Sequence, residues 1–168
     1  MIFVTVGTHE QQFDRLVEFM DDWAYDYKEE VIIQTGFSTY EPKNCKWQKM
    51  FSYQEMMEKT KEARIVVTHG GPSSFIAPIQ IGKIPIVVPR KKEFDEHVNN
   101  HQVDFCKQVA ERMGTIIVAE EMSDLKYVLE NYDEEIKTLK KENISNNAKF
   151  CSNLERIVDD MFKGNTEL

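Results

Sequence analysis

Residues 2–6 (IFVTV), 31–33 (VII), 65–68 (IVVT), 85–88 (PIVV) and 115–118 (TIIV) are short, almost wholly apolar runs. Runs of this length without polar alternation are strands covered on both faces, as in a parallel sheet. Helical stretches separate them. In the first, Phe13, Leu16, Val17 and Met20 recur at helical spacing, so the pattern predicts a helix over 13–28. Further helices are expected over 53–63, 73–81 and 98–112. Ser52 with Glu55 three residues on reads as a capping box, and Gly114 as a C-terminal cap. Residues 35–48 read as a loop and Met50-Phe51-Ser52 as a short strand. Beyond position 118 the chain is expected to be helical over 123–131 and 133–162. Strand and helix in alternation mean a doubly wound α/β fold with a parallel sheet. The 168 residues suit one domain, with 133–163 as a C-terminal helical extension. In such sheets ligands bind beyond the carboxyl ends of the strands.

Composition narrows the function. Hydrophobic residues make up 41 % and charged residues 30 %, enough for one core, and the net charge of -8 argues against a nucleic-acid partner. No apolar run approaches the roughly 20 residues that span a bilayer. The chain opens directly on a strand, without a basic leader region, so no signal peptide is expected. Cys45, Cys106 and Cys151 are odd in number and far apart, which suits reduced cytoplasmic thiols. His9, His69, His97 and His101 lack metal-ligand spacing and no Asp-x-Asp occurs, so no metal site is expected. The dinucleotide glycine fingerprint, the P-loop and the G-x-S-x-G elbow are missing, which disfavours a nucleotide-sugar epimerase or a hydrolase.

Three loops fall at the carboxyl ends of strands. Gly7-Thr8-His9 offers a tight turn, a hydroxyl and an imidazole; His9 reads as a base, a phosphate contact or a capping group. His69-Gly70-Gly71-Pro72-Ser73-Ser74 joins a strand to a helix. Its N–H groups, hydroxyls and helix dipole suit a diphosphate, and Ser73 or Ser74 as a plain N-cap is an equal reading. The third loop, residues 93–102, crowds Glu96, His97, Asn99, Asn100, His101 and Gln102 at a helix entrance. Carboxylates and amides there suit sugar hydroxyls, and a solvated helix start is the alternative. The preceding Arg90-Lys91-Lys92 reads as a phosphate contact or a solvated basic run.

Taken in order, FVTVGT with FDRL, THGGPSS, GKIPIVVP and NNHQ resemble the donor-binding half of family 28 GT-B glycosyltransferases, over about residues 1–120. Among these the chain is most similar to the bacterial capsule and exopolysaccharide catalytic subunit, and it is related to the small catalytic subunit of the eukaryotic dolichol-linked second GlcNAc transferase. The resemblance implies a Rossmann-like, doubly wound sheet with a C-terminal helix. It implies an inverting transferase, a β-1,4-galactosyltransferase, that uses a UDP-sugar and extends a lipid-diphosphate-linked saccharide in capsule or exopolysaccharide synthesis. The partner would be a separate membrane-associated acceptor-binding subunit, holding the chain at the inner face of the membrane. No metal or other cofactor is implied, and a homo-oligomer is left open.

By position, the resemblance puts the diphosphate at Gly7, Thr8, His69, Gly70, Gly71, Ser73 and Ser74, and the donor sugar at Asn100, His101 and Gln102. Many members carry an acidic ribose ligand where this chain has Ala77, which leaves the ribose to Ser73, Ser74 or Glu96. The catalytic base would lie in the partner, with His9 and Glu96 as the candidates in this chain. The apolar stripe of Ile136, Leu139, Leu154, Ile157, Val158, Met161 and Phe162 would dock the partner or pack on the domain's own sheet. A non-catalytic regulatory subunit that binds a nucleotide sugar is the alternative function.

Overall fold

The computed structural model describes residues 1–139 and 147–163. In chain order the elements are β1 (Ile2–Thr5), α1 (Asp14–Tyr27), β2 (Val31–Gln34), β3 (Lys46–Gln48), α2 (Tyr53–Glu62), β4 (Ile65–His69), α3 (Pro72–Gln80), β5 (Ile86–Val88), α4 (His101–Met113), β6 (Ile117–Val118), α5 (Met122–Thr138) and α6 (Asn147–Lys163). A 3₁₀ turn at Lys92–Phe94 lies between β5 and α4. The six strands form one parallel sheet in the order β3-β2-β1-β4-β5-β6. This is the doubly wound, Rossmann-like arrangement the alternation predicts.

The strands are apolar because both faces are covered. Ile2, Val4, Ile33, Ile65 and Val67 pack under α1 and α5 on one face. Phe3 and Val66 face α2, and Val87 with Phe75 and Cys106 faces α3 and α4, on the other. Ser52 caps α2 in a reciprocal box with Glu55, and Gly114 ends α4 at φ 61°.

Three boundaries differ from the sequence pattern. The edge strand is β3, four residues before the expected Met50-Phe51-Ser52; its side chains are exposed and carry no apolar signature. The expected break at 132 falls one residue earlier, at Asn131, where two helical segments of α5 meet at a kink. The apolar stripe divides: Ile136 packs on the core through α5, whereas Leu154, Ile157, Val158, Met161 and Phe162 on α6 are exposed. Residues 140–146 of the expected helical extension lie outside the described residues. Among the described residues no helix is long and apolar enough to cross a membrane.

The 35–45 loop is ordered by two aspartates of α1. Asp14 accepts from the N–H groups of Thr39 (2.7 Å) and Tyr40 (3.1 Å). Buried Asp21 accepts from the N–H groups of Lys43, Asn44 and Cys45 and from the Tyr40 hydroxyl. Burial pushes the Asp21 carboxyl up, but these donors outweigh it and hold it below the usual carboxylate range.

Candidate nucleotide-sugar site

A cavity of about 910 Å³ opens at the carboxyl ends of β1 and β4. That is where the strand order reverses, so the connections leave to opposite sides and a crevice must form between them. One end is apolar, formed by Phe51, Met56 and Val66 of one packed cluster, with Met57 and the exposed Tyr53 also in the lining. The other is polar, formed by Thr8, His9, His69, Ser73, Ser74 and Gln102. Gln34 spans the two: its amide donates to Thr5 Oγ1 (3.3 Å) and its oxygen accepts from Phe51 N–H (3.2 Å). Gln34, Phe51, Tyr53 and Met56 escape the sequence reading. Phe51 was expected in a short strand just before the Ser52 cap, and which face of α2 meets a crevice depends on the strand order.

His69 ends β4 and lies under the glycine turns. A Cβ on Gly7, whose φ is +78°, would fall 2.2 Å from His69 Nε2, and one on Gly71 would fall 2.3 Å from Cε1. Both glycines therefore leave room for this ring. Their N–H groups are engaged within the protein: Gly7 N–H donates to Thr5 Oγ1 (3.2 Å) and Gly71 N–H to His69 Nδ1 (3.1 Å). Gly70 N–H donates to Gln102 Oε1, also 3.1 Å. Gly70 and Gly71, expected to offer donors to a phosphate, thus have these N–H groups bonded within the protein.

What faces the cavity are the two serines. Gly71 is the N-cap of α3 and no side chain caps the helix, so Ser73 and Ser74 are not caps. Pro72 has no N–H and Ser74 N–H donates to Gly71 O, which leaves the Ser73 N–H and the two hydroxyls at the positive end of α3. Ala77, one turn further on, also lines the cavity.

The 93–102 loop is arranged differently. His97 and Gln102 line the cavity, and the His97 ring stands 5.0 Å from that of His9. Asn100 accepts from Lys92 N–H (2.8 Å) and donates to Glu93 (3.2 Å). The exposed His101 ring stacks on Phe105. Neither of these two lines the cavity. Glu96 is fully buried and does not line it either: Arg15 grips both its oxygens at 2.9 Å, and Lys91 N–H donates to it at 3.0 Å. Its expected roles as base or ribose ligand find no support in this placement.

Beneath the loop lies Arg90, neither a solvated cation nor a phosphate contact but 0 % exposed. Its guanidinium donates to the carbonyls of Val6, Gln11, Gln12 and Glu96 at 2.8–3.1 Å and lies over the Phe13 ring. Burial pushes its pKa down to about 10, against the pull of Glu96, so it is cationic at neutral pH. Arg90 thereby ties the β1–α1 loop, which carries Thr8 and His9, to the loop that carries His97. His9 Nε2 lies 2.9 Å from Gln11 Oε1. Among the described residues no cluster of three or more His, Cys, Asp or Glu could hold a metal ion.

Comparison with known proteins follows the same direction. The glycosyltransferase family 28 C-terminal domain matches residues 1–158. The UDP-N-acetylglucosamine transferase subunit ALG13 of Mus musculus is 28 % identical over 121 residues, which cover 64 % of this chain and 10 % of that protein. The chain therefore spans about a tenth of the length of this curated relative. CalG4, the calicheamicin glycosyltransferase, superposes with a TM-score of 0.60 at 13 % identity, over 95 % of this chain and 43 % of its own. The glycotransferase of kitacinnamycin gives 0.51 at 15 % identity, over 81 % and 38 %. At these identities the likeness establishes the fold.

Proposed function

We propose that this chain, which belongs to the glycosyltransferase family 28 C-terminal domain family, binds a UDP-sugar and supplies the donor half of an inverting glycosyltransferase. The observation that carries this reading is the division of one cavity at the strand-order reversal. Its apolar end, at Phe51 and Met56, suits the flat face of a nucleobase, and its polar end suits a diphosphate at Ser73 and Ser74. The acceptor hydroxyl oxygen attacks the anomeric carbon. The bond from that carbon to the diphosphate breaks, and its electron pair leaves on UDP. The start of α3 and the serine hydroxyls stabilise the charge that develops there. A single displacement of this kind inverts the centre. The hydroxyl proton passes to a base; His9 is the group this chain offers, and otherwise the base belongs to the partner. No metal is assigned a role.

The acceptor would be held by a second, membrane-associated chain. Two observations favour a partner: the relative ALG13 is named as a subunit, and α6 exposes Phe150, Leu154, Ile157 and Met161. Their spacing of four, three and four residues is that of a helix–helix seam. The finer assignment is β-1,4-galactosyl transfer to a lipid-diphosphate-linked saccharide in capsule or exopolysaccharide synthesis, with the chain at the inner face of the membrane. It rests on the likeness of the loops to the capsule subunit.

Calorimetric titration with UDP, UDP-galactose, UDP-glucose, UDP-glucuronate and UDP-GlcNAc, with and without EDTA, tests the reading. Saturable binding of UDP, tighter with one sugar and indifferent to EDTA, is expected. A chain that binds none of them, alone or co-expressed with its partner, would overturn it.

A further inference from the structure

The hydrogen bonds around His69 determine where its proton sits. Gly71 N–H points at Nδ1 from 3.1 Å. A backbone N–H only donates, so Nδ1 must be the bare, accepting nitrogen. The ring is 8 % exposed. Burial first, then the charge of Arg90 and the neighbouring His9 and His97, push its pKa down to about 4 against a hydrogen bond with Gln102. Gln102 Oε1 is already occupied by the N–H groups of Gly70 and Arg90, each at 3.1 Å, and offers the ring little as an acceptor. At neutral pH the ring is uncharged and its single proton is on Nε2.

Nε2 lies 2.8 Å from Ser74 Oγ. The ring N–H therefore donates to the serine oxygen, and the serine hydrogen cannot point back. Among the described residues Ser74 Oγ has no other hydrogen-bond partner, and Ser74 lines the cavity. With the proton on Nδ1 the pair would reverse: Ser74 would donate to the ring and turn a lone pair toward the ligand. A lone pair repels a phosphate oxygen, whereas an O–H binds it.

We infer that His69 is a positioning residue, held as the Nε2–H tautomer by Gly71 N–H, which makes Ser74 a dedicated donor to an oxygen of an anionic ligand group. The second glycine of the turn then acts through the ring and not by touching the ligand. The inference rests on the donor-site reading for the identity of that ligand, a nucleoside diphosphate, and on the geometry alone for the tautomer.

Two measurements test it. In the ¹⁵N-labelled full chain at pH 7, ring nitrogen–proton correlation spectra should show His69 neutral and protonated on Nε2; an Nδ1–H ring or an imidazolium would overturn the inference. The second is a cycle of His69→Asn, Ser74→Ala and the double variant, read as affinity for UDP and for inorganic diphosphate. Asn can still accept from Gly71 N–H but does not reach Ser74. Each single change should weaken binding on the order of tenfold, and the double no more than Ser74→Ala alone. Losses that multiply would mean that His69 acts only by supporting the fold. If His69→Asn does not fold, the ring spectra decide. A folded wild-type chain that binds neither UDP nor diphosphate would overturn the donor site and Ser74's ligand, while the spectra would still judge the tautomer.

Discussion

In the 69–74 turn the side chains of Ser73 and Ser74 reach the cavity, whereas in the 92–102 loop most polar groups are bound to one another. Asn100 holds Lys92 and Glu93, and Glu96 holds Arg15 and Lys91. The cause lies below each segment. Under the turn sits a neutral imidazole whose ring nitrogens engage one N–H and one hydroxyl. Under the loop sits a buried guanidinium, and four carbonyls must converge on it. A buried cation without such partners would cost several kcal/mol, so the chain around it is shaped to supply them. Density of polar residues beside a helix therefore leaves side chains open to the cavity in one case and builds a scaffold in the other.

The comparison can be broken most decisively at Arg90. Arg90→Met leaves the carbonyls of Val6, Gln11 and Gln12 without their donor and should cost about 3–5 kcal/mol in urea unfolding. A loss below about 1 kcal/mol would mean that the loop is not built on this residue.

A smaller effect separates the neutral ring from the cation. The folded state holds the His69 pKa at about 4, below the ordinary 6.5, so it favours the uncharged form. Between those values the unfolded chain binds a proton that the folded chain does not. Stability from this group is fully present above pH 6.5 and falls as pH drops toward 4, by on the order of 3 kcal/mol at most. Unfolding free energies measured over pH 4–7 should show the slope, and His69→Asn should flatten it. An unchanged slope would assign it to other groups.

The smallest effects belong to the loop surface. Asn100→Ala and His101→Ala should change stability by about 1 kcal/mol or less and leave UDP affinity nearly unaltered. If either instead raised KM for the sugar nucleotide while UDP affinity held, the loop would reach the donor sugar and the contrast with the turn would narrow.

Much of this was legible in the residues. The apolar runs specified the parallel strands because a strand covered on both faces admits few polar side chains. The Ser52–Glu55 box and Gly114 marked helix ends through local backbone chemistry. Gly7, Thr8, His9, His69, Ser73, Ser74 and Gln102 do meet around one cavity. The edge strand β3 was not legible, because its exposed side chains carry no burial pattern. Nor was the interior position of Arg90 and Glu96, since charged residues are rarely buried unless paired and the partners lie far off in sequence: Arg15 is 81 positions from Glu96, and Val6, whose carbonyl Arg90 reaches, is 84 from Arg90.

The sequence by itself determined the alternation of elements, the parallel sheet and the loops that end at its carboxyl edge, because each follows from periodicity and local sterics over a few residues. Only the tertiary structure decided which polar groups in those loops stay free. That depends on partners distant in sequence: Gln102 bonds to Gly70, Glu96 to Arg15, and Arg90 to Val6. A donor or acceptor engaged by such a partner is withdrawn from any ligand, and no local pattern records the engagement.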